Sequence, residues 1–178
     1  MTNRTIKKYK WFWAWQDEKE EVWLREMSNR GYHLSSIVLP GIYNFTVTKP
    51  RDYVYRLDYQ PYSKRDKNEY LQLFRDAGWE HIGEMAAWQY FRKEAVQDET
   101  PEIFTDIESK TAKYKRLITY LFILLLPIWT IVIIQWTENP FEWLVGIKIF
   151  IVIVAMFLLY GVIRIAIRIK QLRQHIQQ

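Results

Sequence analysis

The stretch Val22–Tyr32 reads VWLREMSNRGY, and forty-seven residues later Glu69–Trp79 reads EYLQLFRDAGW. Trp23-Leu24 falls on Tyr70-Leu71, Met27 on Phe74, and Gly31-Tyr32 on Gly78-Trp79. Each copy sets apolar residues at i and i+3 and a small residue at i+7, so each predicts a helix with one stripe to bury. Glycine closes both because the left-handed residue that ends a helix is least strained without a Cβ.

Working outward, the pattern predicts a first helix over Glu18–Arg30, capped by Asp17, among strands Tyr9–Trp15, Tyr32–Leu39 and Ile42–Thr48. A second helix over Lys64–Ala77 falls among strands Asp52–Gln60, Trp79–Met85 and Ala87–Lys93. Turns are marked at Pro40-Gly41 and Lys49-Pro50-Arg51. The fold class expected is α+β. A duplicated β-α-β-β repeat over residues 1–94 forms an antiparallel-rich sheet of up to six strands, with two helices on one face. A two-helix transmembrane hairpin follows.

Tyr53, Tyr55, Leu57 and Tyr59 alternate with Asp52, Val54, Arg56 and Asp58, which predicts a sheet covered on one side. The first strand breaks the rule. Trp11, Trp13 and Trp15 alternate with Phe12 and Ala14, leaving large rings on both faces for something else to cover.

The last third is unlike the rest. Leu117–Trp136 carries no charge over twenty residues, enough helix for a bilayer core of ~30 Å. Trp143–Ile163 carries one, Lys148, near its start, where it snorkels to the interface. The connection Thr137–Glu142 is too short for anything but an antiparallel hairpin, and Pro127 is expected to kink the first span. Lys110, Lys113, Lys115 and Arg116 precede the pair, while Arg164, Arg168, Lys170 and Arg173 follow it. Positive charge on both flanks predicts a two-pass protein of the inner membrane with both termini cytoplasmic. WFWAW is too short for a signal-peptide core, so no export signal is expected. Residues 95–116 read as linker and juxtamembrane helix, 117–163 as the hairpin, and 164–178 as a basic amphipathic tail.

Composition bounds the chemistry. The chain holds 25 Lys/Arg, 20 Asp/Glu and no cysteine, which excludes a disulfide scaffold, a thiolate metal site and a cysteine nucleophile. No phosphate-binding glycine loop, dinucleotide fingerprint or metalloprotease helix occurs. His33 and His81 read as strand histidines, not metal ligands, and Glu80 and Glu84 as solvated edge charges, not an acid–base pair. No catalytic residue, metal or cofactor is expected. Lys7, Lys8 and Lys10 adjoin stacking rings, but residues 1–100 hold 16 basic against 15 acidic side chains, which argues against nucleic acid. The basic arm is better placed on anionic lipid.

Nineteen Phe, Trp and Tyr in residues 1–100 are the remaining signal. A groove of Trp11, Trp13, Trp15 and Trp88, with Arg56, Asp58 and Glu84 among them, suits a flat or cationic small molecule.

The segments KWFWAWQDEKEEVWL at Lys10–Leu24, NRGYHL at Asn29–Leu34 and FTDIESK at Phe104–Lys110 resemble the bacterial membrane-protein family called domain of unknown function 2812. The resemblance spans residues 8–116 and continues into the two spans. It implies no activity, but a genomic setting near PadR-type transcriptional regulators and hence a regulatory context. Two strand-helix-strand-strand units in one chain are also similar to GyrI-type effector-binding domains, a likeness of fold alone.

The function expected is a membrane-anchored sensing or regulatory protein without catalysis that binds a small aromatic or cationic effector. The alternative is an interaction module that docks a cytosolic regulator, PadR-type or other, at the membrane. Membrane lipids are expected partners, and self-association is left open.

Overall fold

The computed structural model describes residues 4–61, 67–95, 107–138 and 145–174. Most of the expected linker, residues 96–106, together with the connection of residues 139–144 and the last four residues, lies outside them. The chain divides into two units, Met1–Thr105 and Asp106–Gln178.

In the first unit the elements run β1 (Thr5–Tyr9), α1 (Asp17–Asn29), β2 (Tyr32–Leu39), β3 (Ile42–Val47), β4 (Tyr53–Tyr59), α2 (Lys67–Asp76), β5 (Glu80–Met85) and β6 (Trp88–Glu94). They build two three-stranded antiparallel sheets, ordered β1-β3-β2 and β4-β6-β5, in place of one sheet of up to six strands. The strand order is the same in both. β2 and β5 lie side by side across the seam. There Tyr55 Oη accepts the Leu34 N–H at 3.3 Å and Arg92 donates to the Leu34 carbonyl at 3.4 Å, so side chains serve a strand edge that has no strand partner. β2 is shifted in register at Ser35 and again between Ile37 and Leu39, and β5 once, at Ile82, forty-seven residues after the first.

The WFWAW run is not a strand. β1 lies earlier, at Thr5–Tyr9, and its register ends on Tyr9 opposite Ile42, the first residue of β3. The Lys10 N–H still donates to the Gly41 carbonyl at 3.0 Å, but the register of β1 with β3 goes no further than Tyr9. The rings sit instead in a turn closed by Gln16 N–H to the Trp13 carbonyl at 2.8 Å and Trp13 N–H to Gln16 Oε1 at 3.2 Å. Gln16, not Asp17, precedes the helix, and Asp17 is its first residue.

The two helices do not share one face. Tyr90 on β6 reaches α1 through Glu20, while Phe91 stacks on Phe74 of α2 at 4.5 Å. Adjacent strand residues point to opposite faces, so α1 and α2 contact the second sheet from opposite sides. β4 is accordingly buried on both: Tyr55 and Leu57 toward one helix, Val54 and Asp58 toward the other. The face carrying Val54, Arg56 and Asp58, expected to be open, is covered. Arg25 grips Asp52 bidentately at 2.7 and 2.6 Å, fastening α1 to the entry of β4 and holding the Asp52 carboxyl below its ordinary range.

The hairpin turns differ. Pro40-Gly41 places its left-handed residue on glycine (φ +81°), whereas Ala86 and Ala87 both carry positive φ, 50° and 68°. A two-residue turn of this kind favours Asn-Gly. A left-handed L-residue costs ~1–2 kcal/mol, and glycine returns part of that as entropy. Ala87→Gly is therefore expected to stabilise the protein by about 0.5–1 kcal/mol in chemical denaturation.

In the second unit α3 (Ile107–Glu138) and α4 (Val145–Gln174) pack along each other, burying Leu125, Ala155 and Val162. α3 runs through Pro127 as one helix. Among the described residues one stretch, Ile149–Leu172, is long and apolar enough to cross a membrane. That leaves one candidate span where the sequence predicts two. α4 continues past Ile163 with Arg164, Arg168 and Lys170 on the same helix.

Candidate functional site

The buried stripe of α1 consists of Asp17, Glu20, Glu21, Leu24, Met27 and Ser28. Its C-terminal half is ordinary core. Its N-terminal half is acidic.

Glu21 serves the backbone. Its Oε1 accepts the Leu57 N–H of β4 at 2.8 Å and its Oε2 takes Arg56 at 3.3 Å. Glu20 lies between the sheets, where one oxygen, Oε1, accepts the hydroxyls of Tyr43 on β3 at 2.8 Å and of Tyr90 on β6 at 2.7 Å. Burial raises the Glu20 carboxyl above its ordinary range, and the neighbouring Asp17 adds to the rise; the two phenol donors work against it. Burial and the facing carboxylate push both tyrosine hydroxyls far up, so they remain donors at any physiological pH.

Above Glu20 opens a cavity of about 270 Å³. Its walls are the rings of Trp11, Phe12, Trp13, Trp88 and Tyr90, with Leu57, Met85 and Pro40 filling the gaps, and its acidic groups are Asp17 and Glu20. No Lys, Arg or His stands among the described lining residues. Trp11 and Trp13 meet edge to face at 5.5 Å, and Trp88 is held edge-on against Tyr59 at 5.4 Å. An electron-rich ring cage over buried carboxylates, without a basic wall, is electrostatically suited to an organic cation.

The structure thus gathers three of the expected groove residues, Trp11, Trp13 and Trp88, and leaves four elsewhere. Trp15 stacks behind Trp13 at 5.7 Å, outside the lining. Arg56 is drawn to Glu21. Asp58 is buried under α2, accepting the Tyr70 hydroxyl at 2.7 Å. Glu84 is exposed and paired with Lys67 at 2.6 Å. Each of the three polar residues bonds a side chain twelve or more residues away, and none lines the cavity. Glu20, Asp17 and Tyr90, which the sequence did not single out for the groove, line the cavity beside the three tryptophans.

A second, wider cleft of about 800 Å³ follows the β2–β5 seam, with His33, His81, Lys49, Arg51 and Arg92 on its walls. Its histidines are engaged, His33 with Ser28 and the Lys49 carbonyl, both at 2.9 Å, and His81 with Gln89 at 2.9 Å. Arg92 makes two 2.8 Å bonds to Glu80. Among the described residues no group of three His, Asp or Glu side chains is placed to hold a metal ion.

The model of a family described as protein of unknown function (DUF2812) matches residues 16–126, more than half of the chain. No curated protein and no solved structure matches it.

Proposed function

The chain belongs to the DUF2812 family, whose function is unknown, so its role has to be read from its own site, and we propose that it is a non-catalytic, membrane-anchored sensing protein whose ring cage binds a small organic cation. One observation carries the reading: Glu20 and Asp17, both nearly inaccessible to solvent, lie under five aromatic rings with no basic side chain among the described lining residues. Burial disfavours the charged form of Glu20, and a cationic occupant would favour it, so binding a cation there is coupled to release of the proton. The volume suits a molecule of one ring and one ammonium group, and the stacking of a cation on Trp is the strongest of its kind.

Two further features support a sensor. The cage takes walls from α1, the loop before it, the β2–β3 turn and the second sheet, so an occupant bears on the packing of the two halves, which we read as copies of one ancestral unit. The helices supply the anchor. On α3 Phe122, Ile123 and Leu126 are exposed, and on α4 Phe150, Ile153 and Met156, a distribution that water does not support but lipid does. With basic residues flanking both helices, we read a two-pass hairpin with both termini in the cytoplasm.

The test isolates charge. Benzyltrimethylammonium and the uncharged neopentylbenzene have the same shape. Added to the full chain in nanodiscs, the ammonium ion is expected to raise the melting temperature of the first unit and quench tryptophan emission, and the hydrocarbon to do neither. Equal effects of the two, or none from the ion, refute the cation reading.

A further inference from the structure

Four large apolar side chains of the first unit are well exposed in one region: Tyr9 at 73%, Trp11 and Leu39 at 57% each, and Val38 at 50%. They converge on the β2–β3 turn. Tyr9 and Leu39 both stand opposite Ile42 in register, forming an apolar row across the end of the first sheet. The Trp11 ring lies over Gly41, so close that a Cβ there would meet its Cε3 at 3.2 Å. One step back along the strands, on the same face, comes the row Lys7–Asn44–Ser36. Residues 4–15 hold Arg4, Lys7, Lys8 and Lys10 and no acidic side chain, and residues 36–43 hold no charge at all.

We propose that this tip, made by the end of β1, the β2–β3 turn and Trp11, docks into the surface of an anionic lipid bilayer. Polarity is layered along the strand axis: an apolar and aromatic row at the end, then a cationic and hydrogen-bonding row two residues behind, ~7 Å away at the strand rise. A bilayer surface has the same order over the same depth, with carbonyl and upper-chain level inside and anionic phosphate outside, and Tyr and Trp favour that boundary. The net charge of +4 on residues 4–15 matches an anionic leaflet and not a neutral one. The inference rests on exposure and charge alone and holds whether or not the ring cage binds cations. Since Trp11 and Pro40 belong to both, it also places the mouth of the cage at the lipid interface.

The chain has no cysteine, so single labels are clean. Leu39→Cys and, as a control on an exposed position of α2, Glu69→Cys are labelled with an environment-sensitive nitrobenzoxadiazole in the full chain. Each is reconstituted in vesicles of phosphatidylcholine alone or with three parts in ten phosphatidylglycerol, containing a phosphatidylcholine spin-labelled at acyl carbon 5. The Leu39 label is expected to shift to the blue and be quenched in the anionic vesicles only, with the Glu69 label unchanged. Lys7→Gln is expected to lower the docked-to-undocked ratio about fivefold, and added salt to lower it further. Equal quenching in both vesicle types, or no more at Leu39 than at Glu69, overturns the proposal. Quenching that tracks the protein-to-lipid ratio also overturns it, by assigning the tip to contact between copies of the chain. Both labelled positions are exposed, so neither substitution disturbs the core.

Discussion

Glu20→Gln is expected to raise the melting temperature at neutral pH while lowering affinity for benzyltrimethylammonium about tenfold or more. Glu20→Ala is expected to lose affinity and stability together. The sign of the first effect follows from the raised carboxyl. Between the ordinary carboxylate range and its raised value, the folded protein keeps a proton that the unfolded chain has released. The stabilising contribution is therefore complete in acid and is lost as pH rises through the raised value. Glutamine stays neutral throughout and still offers an oxygen to Tyr43 and Tyr90, so the difference between variant and native protein should grow with pH. Asp52 and Glu84, whose carboxyls are held low by Arg25 and Lys67, contribute the opposite slope, but equally in both proteins. Alanine instead strands two phenol hydroxyls at positions about 1% exposed, at ~1–3 kcal/mol for each donor left unpaired. Cation binding favours the ionised carboxylate, so native affinity should increase with pH over the range in which stability declines. Melting curves and titrations from pH 4 to 8 give both slopes. Unchanged affinity in Glu20→Gln sinks the cage reading, and a destabilised Glu20→Gln sinks the account of its charge.

The carboxylates under the cage were present in the sequence as a periodicity. Leu24, Met27 and Ser28 define the buried stripe of α1, and the same 3.6-residue period carried backward lands on Glu21, Glu20 and Asp17. Acidic residues in a first turn ordinarily answer the helix dipole, which hides a stripe that changes from apolar to acidic along its length. The rings misled in the other direction. WFWAW alternates large side chains at period two, as a strand does, but pairing depends on whether a neighbour extends that far, and β3 begins at Ile42. Arg56 and Asp58 alternate with Tyr55 and Leu57 on β4 as predicted, and Glu84 stands on β5 beyond the register shift at Ile82, which puts it on the opposite face from Glu80. Their partners Glu21, Tyr70 and Lys67 lie twelve to thirty-five residues away, and a local pattern carries no record of them. What local pattern does record is backbone conformation, and the two helix-closing glycines were legible for that reason.

Those glycines have the same φ and unequal surroundings, which sets the second large effect. Gly31 (φ +84°) and Gly78 (φ +81°) each end a helix, and alanine at either is expected to lose ~1–2 kcal/mol to the left-handed backbone. At Gly78 an added Cβ meets only the tip of Lys93 at 3.4 Å, a flexible side chain that moves aside. At Gly31 it would lie 2.5 Å from the Thr48 carbonyl oxygen. That backbone is fixed from several sides: Thr48 N–H donates to the Gly31 carbonyl at 2.9 Å, the next carbonyl, of Lys49, holds His33, and Ser28 Oγ donates to the Arg51 carbonyl at 2.8 Å. Displacing Thr48 breaks this set together, so Gly31→Ala should lose about 3–4 kcal/mol, a large share of a typical folding stability. Asparagine separates the two causes, because it tolerates the left-handed region but carries a Cβ. Gly78→Asn is expected to be close to neutral and Gly31→Asn to remain destabilised by ~2 kcal/mol or more, measured by urea denaturation of the full chain in detergent micelles. Equal losses at the two positions would mean that backbone conformation alone, and not the approach of Thr48, requires glycine after α1.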